Sequence, residues 1–571
     1  MCSEIYMMKV LYLTGIPSPY RVDLFNKMGK LCNLEVVFLA EYQSDRNKKW
    51  QTVKPETFQA VFINKGPLQD KKIDFGMKEY LKKNASQFDI IVVHGISFVA
   101  SMIAMRWMIR SGIRYGLEAD GAIIPKKEKK IKYKLKEYFI RHASFWLSSS
   151  KITTDRYLYY GAKENRCYHY PFTSITEKDI YRSVFLSDGE KDTIKSEVGF
   201  SYKKVVLTDK ESAADFCFSD GRSRLNGLKE SDVEVLVVGN SKEQNDNSGE
   251  FPDNVRFITD TDPLIMDYLM IADVYLSLGN HKDNMIRTAS AYGVPVVAFT
   301  EESFDCEKGS DGLMVYGISS SDPARYDRLM DFLSDTNKQE SYRIDTFRHA
   351  VNSMTDKLSD KDRTELLSSL WYLLNRKREI IKKEYGIKAN EPVVLLVGQI
   401  IPRKGIDIML EASLSLSPEI KYYVVGGACT EPLQQIIDAK HIENVQFVDF
   451  AGKEELRKYY SMCDVFALPT REDIWGLVIN EAMAYCLPIV TTDNCVAGLE
   501  LVSENWIIPT EDSDALAEKM KELFGVIGDR EYNYQLIEHS LKTSFQYSIE
   551  NSAVTHIEIF KTVDEDSQNK M

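Results

Sequence analysis

The sequence predicts an α/β protein made of three doubly wound, Rossmann-like domains, and three observations carry that prediction. Short β-branched runs alternate with helical segments, the pattern of parallel sheets covered by helices on both faces. A long stretch of the chain occurs twice, with its landmarks in the same order. The 571 residues, 44% of them apolar, suffice for several cores at roughly 150 residues per domain.

The first domain is expected over residues 1–183. Its runs KVLYLTG, LEVVFLA and DIIVVHG each read as a strand followed by a turn, and IRYGLEAD and SFWLSSS supply further strand candidates. The loop after the first strand, GIPSPYRVDLF, sets Pro17 and Pro19 before a helical start, where the fixed φ of proline suits the turn. Ligands of such sheets bind beyond the carboxyl ends of the strands. Residues 125–147, PKKEKKIKYKLKEYFIRHASFWL, are rich in lysine and carry Ile131, Leu135, Tyr138 and Phe139 at helical spacing. They read either as a solvated helix whose apolar stripe packs on its own domain, or as a basic patch drawn to anionic lipid headgroups.

The repeat occupies residues 184–376 and 377–571. EKDTIKSEVGFSYKKVVLT resembles KREIIKKEYGIKANEPVVLL, with Gly199 and Gly386 187 residues apart; VEVLVVGN resembles KYYVVGG, with Gly239 and Gly426 again 187 apart. Asn254 in NVRF matches Asn444 in NVQF, Asp273 matches Asp464, and Pro295 matches Pro488, at spacings of 190, 191 and 193. A shared strand–helix rhythm would not by itself keep NVxF, Asp-Val and AYxxPxV in one order, so the chain reads as carrying a duplication; the competing reading is an unrelated α/β insertion. Without the middle copy, YPFTSITEKDIYR would run into NRKREIIKKEYGI.

Candidate chemistry sits in the last copy. The strand PVVLLVGQ leads into IIPRKG, which puts Arg403 and Lys404 between a strand end and a helix N-terminus, with Gly398 and Gly405 allowing close approach. Such a place suits phosphate, although loop cations are also commonly just solvated. Further on, TREDIWGLVINEAMAYCLPIV separates Asp473 from Glu481 by seven residues, with Gly476 between them. This spacing puts one acid in a loop and the other at the expected start of the helix EAMAY, where a carboxylate serves equally as a ligand or as a cap.

Together these residues resemble family 4 glycosyltransferases of the GT-B fold, over residues 1–180 and 377–571: SPYRVDLFNKM, EADGAI and YPFTS, then GQIIPRKG, the two acids seven residues apart, EAMAYCLPIV and VAGLELV. The resemblance implies two facing Rossmann-like domains, an N-terminal one for a glycan or lipid-linked acceptor and a C-terminal one for a nucleotide-sugar donor. It implies that Lys404 and Arg403 bind the donor diphosphate, Asp473 the sugar hydroxyls and Glu481 the ribose, with Gly398 and Gly476 beside the donor. It also implies retaining transfer, with no metal or other cofactor. Glu118 and Asp120 in LEADGA, with Tyr20 and Arg21, are the acceptor candidates, and His94 is either an assisting polar group or a structural hydrogen-bonder. The chain departs from the family in having Gln399 where arginine is common and Asp473 where glutamate is common. In the middle copy Thr288 stands in register with Glu481, and DKESAADF, with Asp209 and Glu211, replaces the cationic loop. That copy reads as a donor domain that has lost its donor site, kept for scaffold, partner or regulatory reasons.

Net charge of −13 argues against general nucleic-acid binding. Nine scattered cysteines form no metal-ligand or disulfide pattern. The N-terminus lacks a signal-peptide pattern, and no apolar run approaches the ~18 residues of a membrane span, so the expected location is the cytoplasm, with the inner membrane face as a peripheral site. Two rival functions are a catalytically silent nucleotide-sugar or carbohydrate-binding protein and an assembly protein of a polysaccharide-synthesis complex docking through the middle domain. A glycan phosphorylase would need a pyridoxal-bearing lysine context that the sequence does not show.

Overall fold

A computed structural model describes residues 7–41, 54–64, 74–96, 98–125, 127–200, 203–209, 212–213, 232–238, 254–259, 261–277, 284–300, 304–308, 314–319, 325–354 and 358–568. Gly239, Glu211 and Lys126 lie outside them. Three sheets follow one another along the chain. Numbered within its own unit, the first runs 3-2-1-4-5-6-7 and is parallel throughout, with Lys9–Thr14 and Ile90–His94 at its centre. The sheet strands include Gln59–Asn64 and Cys167–His169, to which the sequence reading gave no strand. Both are edge strands with mostly half-buried side chains; Cys167–His169 also lacks the apolar run that marks an interior strand, whereas QAVFIN at 59–64 carries one that the sequence reading passed over.

The middle and C-terminal sheets share the order 3-2-1-4-5; the middle one then adds Met314–Ser319 in parallel and Phe304–Lys308 beyond it as an antiparallel edge. Their details agree bond for bond. Asp273 Oδ2 accepts the Val205 amide at 2.9 Å, and Asp464 Oδ2 accepts the Val393 amide at 2.8 Å. The Asn254 side chain donates to the Val233 carbonyl at 3.0 Å, and the Asn444 side chain to Ile420 at 2.8 Å. Helices Asn284–Ala291 and Leu477–Ala484 end alike, with left-handed residues Gly293 and Cys486 and with the Val294 and Leu487 amides returning to Ala289 and Ala482. Asp273 with Asp464 and Asn254 with Asn444 are among the pairs that the sequence comparison had matched. A buried acid that ties two strand ends, and an asparagine that closes a turn, have few substitutes.

The middle unit joins the rest at neighbouring points. Lys377, 5% exposed, donates to the carbonyls of Arg182 and Phe185 at 2.6 and 2.8 Å, so the chain leaves for the middle unit and returns from it at one spot. One apolar cluster runs from Tyr12 through Phe185, Phe347 and Leu370 to Phe466 and Phe560. The last helix, Ile549–Gln568, was expected inside the unit 377–571; it packs instead on helix Pro19–Met28 of the first unit. Its Phe560 is fully buried there against Tyr12 and Phe145, which gives the helix its apolar partner.

Residues 130–142 form the expected basic helix, Lys130–His142. The expected single stripe is divided, however. Phe139 and Ile140 are buried, whereas Ile131 is 84% exposed and Leu135 and Tyr138 are also exposed. Among the described residues, no helix is long and apolar enough to cross a membrane.

Candidate functional site

Strand Val393–Val397 ends at Gly398, a single 3-10 turn Pro402–Lys404 follows, and helix Ile406–Ser413 begins. Gly405 makes the join. Its φ is +68°, and a Cβ there would run into the Pro469 carbonyl at the end of the neighbouring strand. The loop is fastened by the Arg403 carbonyl, which accepts from the Arg471 amide at 2.8 Å and the Thr470 hydroxyl at 2.9 Å. Lys404 is thereby folded inward against Gly398, and only 8% of it is exposed.

Its Nζ lies 2.5 Å from Asp473 Oδ2, and the Arg403 guanidinium lies 3.6 Å from Asp473 Oδ1. The resemblance gave the two cations to a diphosphate and the acid to a sugar; the fold brings all three together as one ion cluster. A nearly buried ammonium needs such an anion. Opposite lies Gly476, whose φ of +101° opens helix Leu477–Ala484.

Glu481 therefore sits in the second turn of that helix and caps nothing, which corrects the expected helix start at this residue. Its two oxygens accept from Ser174 Oγ at 3.0 Å and from the Tyr460 hydroxyl at 2.9 Å. Burial pushes its carboxyl pKa up, and these two hydrogen bonds pull against that. Ser174 belongs to YPFTS, in the crossover from the first unit, and Tyr460 is held by stacking on Tyr485. Neither had been assigned a role. Ser174 precedes a Thr176–Asp179 capping box that fixes where helix Glu177–Val184 begins, and that signal could have singled it out.

On the facing unit, Arg21 and Glu118 pair at 2.6 Å with 2% and 0% of their side chains exposed. They were expected to bind an acceptor; they are buried against each other, and Glu118 also lines the cavity described below. Arg21 holds the Glu118 carboxyl well below its usual pKa, and the fully buried His556 of the last helix lies 3.7 Å away. Nothing in the sequence linked a histidine at 556 to this strand end. Asp120 is the acid that reaches the edge. It accepts from Arg21 and, at 3.2 Å, from the Tyr170 hydroxyl, and its Oδ2 lies 3.2 Å from His94 Nε2.

The other nitrogen of His94, Nδ1, lies 3.3 Å from the Thr14 hydroxyl. Burial and the Arg21 charge push its pKa down to about 3, so the ring is neutral, donating to Asp120 and accepting from Thr14. Both nitrogens of His94 are thus engaged within the first unit. Tyr20 is half-buried, with its ring 5.5 Å from Phe172, which in turn meets Trp475 of the C-terminal unit at 5.7 Å. A cavity of about 180 Å³ lies between the units, lined by His94, Asp120, Gly121, Arg156, Tyr157 and Ile474. Gly121 packs so closely on the Ile474 carbonyl that a Cβ would collide with it.

Residues 377–542 match the family described as Glycosyl transferases group 1. Among curated proteins, the chain is 31% identical over 153 residues to a D-inositol 3-phosphate glycosyltransferase of Mycobacteroides abscessus, covering 25% of this chain and 34% of that one. It is 29% identical over 123 residues to the lipopolysaccharide glucosyltransferase WaaG of Escherichia coli, covering 21% and 32%. The chain thus spans about a third of the length of these relatives. Among solved structures, it superposes on a glycosyltransferase of Rickettsia africae with a TM-score of 0.50 at 11% identity, covering 98% of this chain and 99% of the other. It superposes equally on Anabaena HepE in complex with UDP, with a TM-score of 0.50 at 11% identity, covering 98% and 100%. Those two likenesses concern the fold.

Proposed function

We propose that the protein is a retaining glycosyltransferase that moves a sugar from a nucleotide-sugar donor to a glycan or lipid-linked acceptor, in cell-surface polysaccharide synthesis. The observation that carries this reading is the cluster of Lys404, Arg403 and Asp473 at a strand end, inside the segment that matches group 1 glycosyl transferases. Breaking the sugar–phosphate bond leaves negative charge on the diphosphate. Lys404, Arg403 and the amides opening helix Ile406–Ser413 stabilise that charge as it forms, without a metal. Asp473 exchanges its lysine contact for the sugar hydroxyls, Glu481 accepts from the ribose, and Gly398 and Gly476 let the donor approach the backbone. A donor phosphate oxygen takes the acceptor proton, which suits a His94 with no free lone pair; Asp120 and Tyr20 hold the acceptor. The test is mass spectrometry of products from a panel of nucleotide sugars, UDP-sugars first because the HepE structure carries UDP. Sugar transfer supports the reading, and its absence with every donor, alongside intact donor binding, favours the silent binding protein.

The middle unit is, on this reading, a degenerate donor-domain copy. Its matched hydrogen bonds support common descent, and Thr288 in place of Glu481 supports the loss of the site. The basic helix is read as a peripheral membrane contact on the cytoplasmic face. Exposed Ile131, Leu135 and Tyr138 stand among lysines, and Ile140 on the inner side of the same helix borders the cavity beside Asp120. Replacing Lys127, Lys129 and Lys130 by glutamine should release the protein from phosphatidylglycerol vesicles, at about 1 kcal/mol per cation; unchanged co-sedimentation would remove the membrane from the account.

A further inference from the structure

Two segments connect the first unit to the C-terminal one: residues 171–176, and residues 547–549 on the way back. They are stitched together, with the Ile549 amide donating to the Ile175 carbonyl at 2.8 Å and the Glu177 amide to Glu550 at 3.0 Å. Helix Thr336–Ser353 of the middle unit seats on the helices that flank them, Glu177–Val184 after the first and Arg530–Gln546 before the second. Its Phe347, fully buried, meets Phe185 at 4.8 Å beyond the first crossover and Phe545 at 5.7 Å just before the second. Its Glu340 accepts from Lys178 at 2.6 Å and from Arg182 at 2.7 and 3.0 Å, and its Arg348 donates to Glu177 at 2.7 Å.

The far side of helix Glu177–Val184 belongs to the donor unit. Asp179 pairs there with Lys453 and Arg457 at 2.8 and 3.0 Å, and Ser183 donates to the Ala484 carbonyl. Three residues before this helix stands Ser174, whose hydroxyl donates to Glu481. The middle unit thus grips, from one side, the element that orients a donor-site carboxylate from the other. Each exposed ion pair contributes little to stability by itself, but three charge-assisted bonds to Glu340 fix a direction as well as a contact.

We propose that the middle unit is a positioning element for the transfer reaction: helix Thr336–Ser353 braces the crossover, and through Ser174 it sets the Glu481 carboxylate for donor binding. Glu340 is its positioning residue. The proposal rests on the donor role of Glu481 given above. The full-length protein with Glu340→Lys places like charge beside Lys178 and Arg182, without burying it, and the added changes Lys178→Glu and Arg182→Glu restore the pairing.

Hydrogen exchange at residues 171–176 should quicken in Glu340→Lys. Calorimetric affinity for whichever of UDP, GDP or ADP the wild type binds should fall about three- to thirtyfold, with donor KM rising more than kcat falls. Both changes should reverse in the triple variant; Glu340→Gln gives a milder version of the same shifts if the reversal does not fold. Unchanged affinity and KM would overturn the brace, whatever the exchange does. If the wild type binds none of the three nucleotides, it is the donor reading that fails. Exchange alone then decides the brace, a reversible quickening supporting it and an unchanged crossover overturning it.

Discussion

In the C-terminal unit the loop after the first strand carries Arg403 and Lys404 toward Asp473. In the middle unit the corresponding strand, Lys204–Asp209, ends in a carboxylate that accepts from the Ser212 amide at 2.8 Å and the Ser212 hydroxyl at 2.6 Å. An acid therefore satisfies the turn where a phosphate would need free amides and cations. Four residues into the matching helices, one unit has Glu481, pointed at the crossover by Ser174 and Tyr460, and the other has Thr288, whose hydroxyl donates to Glu365 at 3.3 Å. Several bonds that close strands and helices are matched in the two units, whereas Glu481 and Thr288 bond different partners. Packing residues and ligand residues can part company because a fold depends on the first set alone.

The difference is broken most severely by Lys404→Ala. Transfer should fall about hundredfold to thousandfold, the cost of losing a preorganised charge at the forming diphosphate. Stability should fall too, by about 3 kcal/mol or less, because Asp473 is 7% exposed and keeps only the more distant Arg403. Adding Asp473→Asn should recover stability but not activity. The matching acid of the middle unit gives the contrast: Asp209→Ala should cost about 1 kcal/mol, the value of a cap, and leave kcat unchanged. Steady-state kinetics and denaturant melts read both.

Glu481→Gln sharpens the comparison with Thr288. The amide oxygen still accepts from one of Ser174 and Tyr460, so the helix should stay in place, while donor KM rises about tenfold for want of a charged acceptor. A smaller effect concerns pH. Burial raises the Glu481 pKa above 4.5, so on acidification its ionised form is lost earlier than that of an ordinary carboxylate. Donor affinity should decline on that limb and lose the dependence in Glu481→Gln, measured by calorimetry across the acid range. His94 is neutral down to about pH 3 and adds nothing there.

Much of this was legible in the sequence, for physical reasons that particular residues show. Interior strands such as Val393–Val397 bury all their side chains and read as unbroken apolar runs. Asp273 and Asp464, Asn254 and Asn444 stood out because each side chain bonds a backbone group at a strand end. The edge strand Cys167–His169 carries no such run. The pairing of Lys404 with Asp473, 69 residues apart, depends on how two loops meet, which spacing does not encode. Glu118 looked like an acceptor ligand because it ends a strand; its burial against Arg21 of helix Pro19–Met28 and His556 of the last helix depends on how three distant segments meet. The start of helix Leu477–Ala484 at Gly476 was missed because EAMAY is the stronger helix former, while the left-handed glycine sets the actual boundary.

The central claim is that the C-terminal unit binds donor and the middle unit does not. Calorimetric titration of the full-length protein with the nucleotide sugar it uses tests this most directly. The account predicts one site per chain, abolished by Lys404→Ala and untouched by Asp209→Ala. Two sites per chain, or one site that survives Lys404→Ala, would contradict it and place a working donor site in the middle unit.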